Sequence, residues 1–429
     1  MKRILLSVIA LVSVVSPVWA IDMSADIEAA SAKILPKVIE WRRHFHQYPE
    51  LSNREVNTAK VVADELRKLG LEVRTGIAKT GVVAILKGSS PGPVIGLRAD
   101  MDALPVTERN SLPFASKERA QFNGQDVGVM HACGHDAHIA MLLGAATVLS
   151  GMKSKLKGTV VFIFQPAEEG TPGVETGGAP EMIKEGVMDD PKIDAIFGIH
   201  INAQTEAGKI GYKPEGLMAA SDWVTIKVFG KSAHGGYPWN GVDPIAVATQ
   251  IYTGLQLVVS RESNLLKSPV VITIGRINGG IRENIIPETL TMSGTIRTLD
   301  ADVRKTVFEK VRLSATKIAE SMGATVDVTF ESRTPITYNN PALVEKMLPS
   351  LQKAAGKGNV FLQSWVTGAE DFAFYGSKAP AFFFYVGGMS AGKDPATTAD
   401  HHTPDFLIDD SRLDVGVKAF CNIAFDYTK

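Results

Sequence analysis

Cysteine is scarce in this sequence: Cys133 and Cys421 are the two cysteines in 429 residues. This excludes the class of small secreted scaffolds that depend on many disulfides. A charge excess is also missing, because 45 basic residues face 46 acidic ones. We therefore predict neither a nucleic-acid partner nor a stable membrane association through a polybasic surface. What remains is an ordinary globular composition with 45% hydrophobic residues.

The first twenty residues differ from the rest and have the pattern of a secretory signal. Lys2 and Arg3 form a basic start, the stretch from Ile4 to Val15 is almost wholly apolar, and Ala20 ends it. This pattern predicts cleavage after Ala20 and a periplasmic or secreted mature protein. An uncleaved membrane anchor is the alternative, but the apolar stretch is short for spanning a bilayer.

The order of the predicted elements indicates two domains. Strands and helices alternate through residues 21–215, which predicts an α/β fold with a mixed, largely parallel sheet. From residue 216 the order becomes β-α-β-β-α-β, which is typical of a ferredoxin-like α+β unit. After residue 331 the α/β character returns. We predict a catalytic domain of residues 21–215 and 332–429, with residues 216–331 inserted as a dimerisation and lid domain.

Local signals place some of these elements. Ser52 and Glu55 have the spacing of a helix capping box, and Gly70 is the expected end of that helix. The apolar run from Ala195 to His200 predicts a strand that ends at the histidine. Carboxylates and histidines recur where predicted strands end, which is where open α/β sheets place their sites.

The stretch HACGHDAH, residues 131–138, holds a thiol and an imidazole two positions apart. Thiolate, imidazole and carboxylate are ligands of transition metals, so residues of these types near predicted strand ends are candidate ligands. The candidates are Cys133, His135, Glu169, His200 and the pair His401-His402. They exceed the needs of one tetrahedral ion, and two ions with a bridging ligand would use them. Taken singly, each loop histidine is more often a surface residue.

Glu168 and Glu169 are adjacent, so one can bind metal while the other faces the substrate. A carboxylate beside a metal-activated water can carry the proton of a hydrolysis. In isolation, the pair also fits a solvated acidic turn. Two other readings remain: a hydrolase with Cys133 as nucleophile, and a non-enzymatic periplasmic protein that binds a metal or a solute.

The motifs as a set resemble one known family. MHACGHDAH, FQPAEEG, FGIH, GKSAHGGYP, NIIP, GTIRT, GAEDF and HHTP occur in the same order in the two-metal amidohydrolases and carboxypeptidases of the aminoacylase superfamily. The branch that the chain resembles most is that of the hippurate hydrolases and indole-acetyl-amino-acid hydrolases. The resemblance covers essentially the whole mature chain.

The resemblance implies a role for each matching residue of the catalytic domain. Glu168 matches the general acid/base, and Asp102 is similar to an aspartate that orients a metal-binding histidine. The implied metal ligands are Cys133 as the bridge, His135, Glu169, His200 and His402. His402 is preferred over its neighbour His401 because it stands directly before Thr-Pro. The remaining histidines, His44, His46, His131 and His138, are interpreted as structural or supporting residues.

The resemblance also implies roles for the inserted domain. His234, in GKSAHGG, would reach an active site of the partner subunit and stabilise the oxyanion, while Asn284 and Arg297 would meet the substrate carboxylate. For Arg297 an ion pair at a strand edge is the alternative. The implied protein is a homodimer that associates through this domain.

The resemblance implies a metal-dependent enzyme that hydrolyses N-acyl or aryl-acyl amino acids or dipeptide-like amides. It would use two divalent ions per subunit, with zinc or manganese preferred and cobalt or nickel also compatible. A metallocarboxypeptidase or an N-deacetylase of the same superfamily is the alternative. The loop between Glu169 and Met182 is long, which leaves the acyl group undecided.

Overall fold

A computed structural model describes residues 22–429 of the chain. The predicted signal segment, residues 1–20, lies outside the described residues. Among the helices of residues 22–429, none combines the length and the apolar character needed to cross a bilayer.

The helices of the described residues begin at recognisable caps where the sequence offers them. Asp243 accepts hydrogen bonds from two amides of the first turn of α5, Asp300 does the same for α6, and Asn340 caps α7. These side chains satisfy amides that have no partner inside a helix. The helices are α1 (Ser24–Gln47), α2 (Val56–Lys68), α3 (His135–Gly151), α4 (Gly178–Lys184), α5 (Pro244–Glu262), α6 (Ala301–Ser321), α7 (Pro341–Ala355) and α8 (Asp414–Tyr427).

The strands follow the alternation of apolar residues with turns. In chain order they are β1 (Glu72–Ile77), β2 (Gly81–Lys87), β3 (Ser90–Asp100), β4 (Arg119–Phe122), β5 (Gln125–Gly128), β6 (Lys157–Gln165), β7 (Ala195–Glu206), β8 (Ile210–Tyr212), β9 (Glu215–Met218), β10 (Ala220–Phe229), β11 (Ala233–His234), β12 (Val270–Gly279), β13 (Ile285–Ile286), β14 (Thr289–Thr298), β15 (Thr325–Thr334), β16 (Thr337–Asn339), β17 (Val360–Leu362) and β18 (Ala381–Met389).

The larger sheet has eight strands in the order β1-β2-β6-β3-β7-β18-β8-β17. Its four central strands, β6, β3, β7 and β18, are parallel to one another, whereas β1-β2, β2-β6 and β18-β8 are antiparallel pairs. Register is fixed by partners such as Leu97 with Phe162 and His200 with Tyr385. The predicted α/β class with a mixed, largely parallel sheet is confirmed.

Both faces of this sheet are covered, because its strands are apolar at successive positions. Phe162 and Phe164 of β6 belong to the core shared with α1, α3 and α8, whereas Val161 and Ile163 face the opposite core. Successive side chains of a strand point to opposite faces, so a continuous apolar run is what a doubly covered strand requires.

The smaller sheet is antiparallel, with the order β12-β14-β10-β15, and α5 and α6 cover one of its faces. In chain order its elements read β10, α5, β12, β14, α6 and β15, the predicted ferredoxin-like arrangement, which is confirmed. Its hydrophobic core is separate from that of the large sheet and comprises residues between 224 and 328. Strand β15 runs to Thr334, beyond the predicted boundary at residue 331.

Two local predictions are wrong. Residues Ser52 and Glu55 do not form a capping box: α2 begins at Val56, and neither side chain caps it. Strand β7 does not end at His200 but continues to Glu206, because β18 pairs alongside it to Gly387 and beyond. Gly70 does lie just past α2, with a positive φ of 74° that suits a helix end.

Candidate active site

The candidate residues meet at the carboxyl-terminal edge of the parallel strands. Asp102 follows β3, Glu168 and Glu169 follow β6, and His200 lies in β7 beside them. A loop near the carboxyl terminus adds His402. Parallel strands bring their carboxyl ends to one edge of the sheet, so side chains distant in sequence are neighbours here.

The tight turn before α3 places Cys133 and His135. Gly134 has a φ of +90°, and a Cβ at this position would lie 2.2 Å from Ile201 Cγ2. Both the left-handed backbone and the close approach of β7 require glycine. The turn therefore presents the thiol and the first imidazole of the buried helix α3 to the same point.

Five donor groups form one continuous cluster. Cys133 Sγ lies 3.4 Å from His200 Nε2 and 3.3 Å from His402 Nε2. His402 Nε2 lies 3.1 Å from Glu169 Oε1, which in turn lies 3.9 Å from His135 Nε2. The thiol is thus flanked by two imidazoles, and Glu169 connects it to the third. All five residues that were predicted as metal ligands are brought together.

The second ring nitrogen of two of these histidines fixes the direction of the first. His135 Nδ1 donates to the carbonyl oxygen of Asp102 at 2.8 Å, and His200 Nδ1 donates to that of Ile201 at 2.6 Å. Each Nε2 is therefore a lone-pair donor directed into the cluster. His402 is held by its amide, which donates to Ala132 O at 2.8 Å, and adopts a strained φ of +64°.

The cluster fits divalent metal ions. His135 Nε2 and Glu169 Oε1 are buried and make no hydrogen bond within residues 22–429. Burial, followed by the charges of Glu169 and Glu168, raises the pKa of the Cys133 thiol well above its usual value. Burial likewise depresses the pKa of His200 well below normal. The protein alone thus opposes a thiolate-imidazolium pair, whereas dications would favour the thiolate.

Two of the neighbouring histidines, His401 and His138, use their Nε2 atoms to accept backbone amides. His401 Nε2 accepts the amide of Ala203 at 3.2 Å, and His138 Nε2 accepts that of Ile201 at 2.7 Å. His138 Nδ1 also donates to Asp100 at 2.6 Å. Neither ring has a free Nε2 for an ion, which agrees with the preference for His402. His131 is buried, and burial lowers its pKa to about 3.

His46 lies in a buried ionic group behind α3. Its Nδ1 is 2.8 Å from Asp136 and its Nε2 is 3.1 Å from Glu108, while Arg42 Nε lies 2.9 Å from the same Asp136 carboxylate. Burial opposes the charged ring, but hydrogen bonds to the two carboxylates raise the pKa of His46 above its ordinary value. His44, by contrast, is exposed on α1, with its ring centroid 5.2 Å from that of Tyr48.

The carboxylates of Glu168 and Glu169 both lie 3.9 Å from His135 Nε2, but their other neighbours differ. Glu168 Oε1 lies 3.4 Å from the amide of Asp371, while its Oε2 lies 3.9 Å from His135 Nε2. Burial, followed by the charge of Glu370, raises the pKa of Glu168 well above that of a free carboxyl. A raised pKa is what a general acid requires near neutrality.

Asp102 holds the turn that carries this pair. Its two carboxylate oxygens accept the amides of Glu168 at 3.1 Å and of Glu169 at 3.0 Å. Its Oδ1 also lies 3.3 Å from His135 Nδ1, although the shorter bond from that nitrogen goes to the Asp102 carbonyl. Asp102 is therefore in place to orient both a ligand histidine and the acidic pair.

A buried ionic cluster beneath Glu168 was not singled out from the sequence. Arg98 is fully buried and donates to Asp100 at 2.6 Å, to Asp371 at 2.9 Å and to Glu370 at 3.0 Å. Burial, despite the opposing charge of Arg98, raises the pKa of Glu370 to about 8 and that of Asp371 to about 6. An arginine within the apolar strand VIGLRAD was the available signal, because a buried charge needs buried partners.

The cluster opens into a cavity of about 600 Å³ between the two sheets. Arg297 reaches it from β14 and makes no ion pair within residues 22–429, and burial lowers its pKa. A strand-edge ion pair, the alternative for this residue, is therefore not observed. Other lining residues come from both domains: Met218, Ser221, Thr334, Val366, Glu370, Asp371 and Tyr385.

His234 and Asn284 do not line this cavity of their own chain. They lie on a short ribbon in which β11 pairs with β13, and Gly235 donates to Asn284 O at 2.8 Å. The His234 ring is exposed and its Nδ1 accepts the amide of Gly236 at 2.9 Å. The structure thus leaves these two predicted site residues apart from the metal-binding cluster.

Fold and site together define a two-domain metallohydrolase with a dinuclear centre. The chain belongs to peptidase family M20/M25/M40, whose family model matches residues 96–426. The predicted family and the prediction of a metal-dependent enzyme that cleaves amide bonds are confirmed. Two divalent ions fit the donor set.

Among its relatives, the chain is 39% identical to thermostable carboxypeptidase 1 of Saccharolobus solfataricus over 393 residues, 91% of this chain and 95% of the relative. It is also 39% identical to an N-acetyl-L-cysteine deacetylase of Bacillus subtilis over 379 residues, 88% of this chain and 85% of the relative. A solved dinuclear metal binding peptidase of the M20 family from Bacillus subtilis has a similar fold, with a TM-score of 0.78 and 36% identity, covering 92% of this chain and 99% of that one.

Proposed function

We propose that this enzyme hydrolyses N-acyl or aryl-acyl amino acids, with Glu168 as general acid/base. One observation carries the proposal: a cavity lined by Glu168 and four of the five donors is also reached by Arg297, a guanidinium without an ionic partner among residues 22–429. An arginine of this kind suits the carboxylate of an amino-acid product or substrate.

The residues divide the chemistry between them. Divalent cations held by Cys133, His135, Glu169, His200 and His402 would supply Lewis acidity and lower the pKa of a water toward neutrality. Glu168 takes the proton of the attacking water and returns it to the leaving nitrogen. Asp102 keeps Glu168 and Glu169 in register through their amides. Arg297 orients the substrate through its carboxylate.

The acyl group is the part of the substrate that the cavity constrains least. Met218, Val366 and Tyr385 give it an apolar side, which suits an acyl or aryl group. A metallocarboxypeptidase or an N-deacetylase is the second candidate, favoured by the names of two relatives with 39% identity. A panel of acetyl-, benzoyl- and dipeptide substrates that share one amino acid separates these activities by their kcat/KM values.

A homodimer through the inserted domain completes the proposal. Strand β12 is an edge strand with exposed Val271 and Ile277, a surface suited to pairing with a second copy. In such a dimer, His234 would enter the partner's cavity and stabilise the oxyanion, with Asn284 beside it to meet the substrate carboxylate. Mixing an inactive Glu168→Ala chain with an inactive His234→Ala chain tests this, since only shared sites regain activity.

The native metals and the location of the enzyme belong to the same proposal. Zinc or manganese suits the mixed thiolate, imidazole and carboxylate donors, with cobalt or nickel as alternatives. Elemental analysis of the purified protein identifies the ions. Export with cleavage after Ala20 is supported by the basic and apolar pattern of the first residues. Amino-terminal sequencing of the mature protein checks that cleavage.

The mechanism is tested at Glu168. Glu168→Ala should retain two ions per subunit while kcat falls by about 10²–10⁴-fold, the range ascribed to general acid–base catalysis. Glu181→Gln, which alters an exposed ion pair on α4 with Lys184, is a matched control and should leave kcat unchanged. Near-normal turnover by metal-loaded Glu168→Ala would exclude the proposed role.

A further inference from the structure

Each of the four consecutive residues from Ser52 to Glu55 contacts Asp102, Ala167 or the loop that follows Glu169. Their sequence resembles a helix cap, yet none of their side chains caps α2. Instead, the hydrogen bonds of this segment go to Asp102, to Ala167 and to the loop at residues 175–176. This loop, residues 170–177, directly follows Glu169.

Ser52 acts at the start of the turn through Asp102. Its hydroxyl donates to Asp102 Oδ2 at 2.7 Å, and the same oxygen accepts the amide of Glu169 at 3.0 Å. The other oxygen of Asp102 accepts the amide of Glu168. Ser52 thus fixes the rotamer of the carboxylate that holds both acidic residues.

Glu55 holds the residue immediately before Glu168. The fully buried carboxylate of Glu55 accepts the amide of Ala167 at 2.9 Å and the hydroxyl of Thr80 at 2.6 Å. Ala167 has a φ of +55°, a left-handed conformation that a residue with a Cβ adopts rarely. The hydrogen bond to Glu55 therefore stabilises a left-handed backbone conformation that is unfavourable for Ala167 by itself.

Asn53 and Arg54 act at the far end of the same loop. Asn53 Nδ2 donates to Thr176 O at 3.0 Å, and Arg54 donates to Glu175 at 2.6 Å. The backbone is thereby held on both sides of the acidic pair, at Ala167 before it and at Glu175 and Thr176 after it. All four contacts come from the short stretch between α1 and α2, which contains no residue of the cavity lining.

We propose that the Ser52–Glu55 segment positions Glu168, with Glu55 as the main positioning residue through Ala167. This inference rests on the proposed role of Glu168 as general acid/base. Glu55 does not line the cavity. Its effect is on the direction of the Glu168 carboxylate, because a shift of Ala167 out of its left-handed conformation rotates the next residue.

The test compares two substitutions of Glu55. Glu55→Ala removes the acceptor of the Ala167 amide, and we expect kcat to fall by about 10–100-fold, the effect of misplacing a catalytic group by about 1 Å. KM and metal content should stay unchanged. Glu55→Gln keeps an oxygen for the Ala167 amide and should recover most of kcat. Glu55→Ala with wild-type kcat, or Glu55→Gln as impaired as Glu55→Ala, would overturn the proposal.

Glu50 provides a matched control. Its side chain accepts the amides of Asn57 at 3.1 Å and Thr58 at 2.8 Å and contacts neither Ala167 nor the following loop. Glu50→Ala should lower stability without changing kcat. An equal loss of kcat in Glu50→Ala and Glu55→Ala would show a general structural effect and refute positioning.

Two further measurements keep the proposal decidable. In a Glu168→Ala background, Glu55→Ala should cause no additional loss of the residual rate. A general structural effect of Glu55→Ala would instead lower the residual rate further. If Glu55→Ala does not fold, Ser52→Ala replaces it, with a smaller fall in kcat expected. An active Glu168→Ala variant refutes the proposed function itself, while an inactive one beside a normal Glu55→Ala variant refutes positioning alone.

Discussion

The glycine between Cys133 and His135 offers a quantitative test of how the metal cluster is built. Gly134→Ala places a Cβ at a φ of +90° and 2.2 Å from Ile201 Cγ2. The left-handed backbone costs about 1–2 kcal/mol for a residue other than glycine. Overpacking against β7 adds about 1–3 kcal/mol. The variant should therefore lose about 2–5 kcal/mol of unfolding free energy, the sum of these two effects.

The assay is urea unfolding followed by circular dichroism, with metal content measured on the same samples. Gly134→Ala should unfold at lower urea and bind less metal, because the turn carries two ligands. Adding Ile201→Ala should recover the unfolding free energy that is lost to overpacking, as measured by a double-mutant cycle. The loss caused by the left-handed backbone should remain. Gly151→Ala is the control, since a Cβ there meets nothing within 4 Å and its φ is not positive.

Wild-type stability and full metal occupancy in Gly134→Ala would refute this reasoning. A coupling energy of zero with Ile201→Ala would refute the steric part alone, and the loss would then come from the backbone.

Three further predictions concern buried charge and the ions. Arg98→Met leaves the carboxylates of Asp100 and Glu370 without their cation, so urea unfolding should show a loss of about 3–5 kcal/mol; an unchanged midpoint would contradict the buried ionic cluster. The two carboxylates beside His46 raise its pKa above 6.5, the ordinary value for histidine. The charged ring therefore stabilises the fold fully below pH 6.5, and this contribution is lost as pH rises through the folded-state pKa. The stability difference between wild type and His46→Gln should shrink from pH 6 to alkaline pH, and a constant difference would argue against a charged ring. Chelation should abolish amide hydrolysis and lower the thermal midpoint, because ions bind the native state; activity that survives chelation and dies on alkylation would instead support Cys133 as nucleophile.

The fold class could be read from the sequence because periodicity reports burial. The alternation of strands and helices through residues 21–215 predicted a largely parallel sheet, and β6, one of its central strands, is covered on both faces as such a sheet requires. The order β-α-β-β-α-β likewise predicted the smaller sheet. The end of β7 could not be read, because it depends on β18, a strand almost two hundred positions later in the chain.

The metal ligands were predictable because their chemistry is unusual, whereas the residues that hold the site in place, such as Glu55 and Glu370, were not. Thiol, imidazole and carboxylate in ordered motifs pointed to Cys133 and its four companions, and the structure places all of them within one cluster. Glu55 looked like a helix cap, since a capping box and a tertiary clamp use the same residue types. The motif GAEDF contains Glu370, but no role was predicted for that residue, because its buried position follows from Arg98, a partner 272 residues away.

The position of β18 in the large sheet has a consequence for synthesis. This strand lies between β7 and β8, which precede it by more than 150 residues in the chain. A nascent or truncated chain that ends before Ala381 would expose the open edge of β7, an apolar strand with unpaired amides and carbonyls. Closure of the sheet, and with it the arrival of His402, must wait until residues 381–402 have been synthesised. Fragments of this enzyme that lack β18 should therefore aggregate rather than assemble a partial metal centre. The segment that closes the sheet is also the one that completes the site.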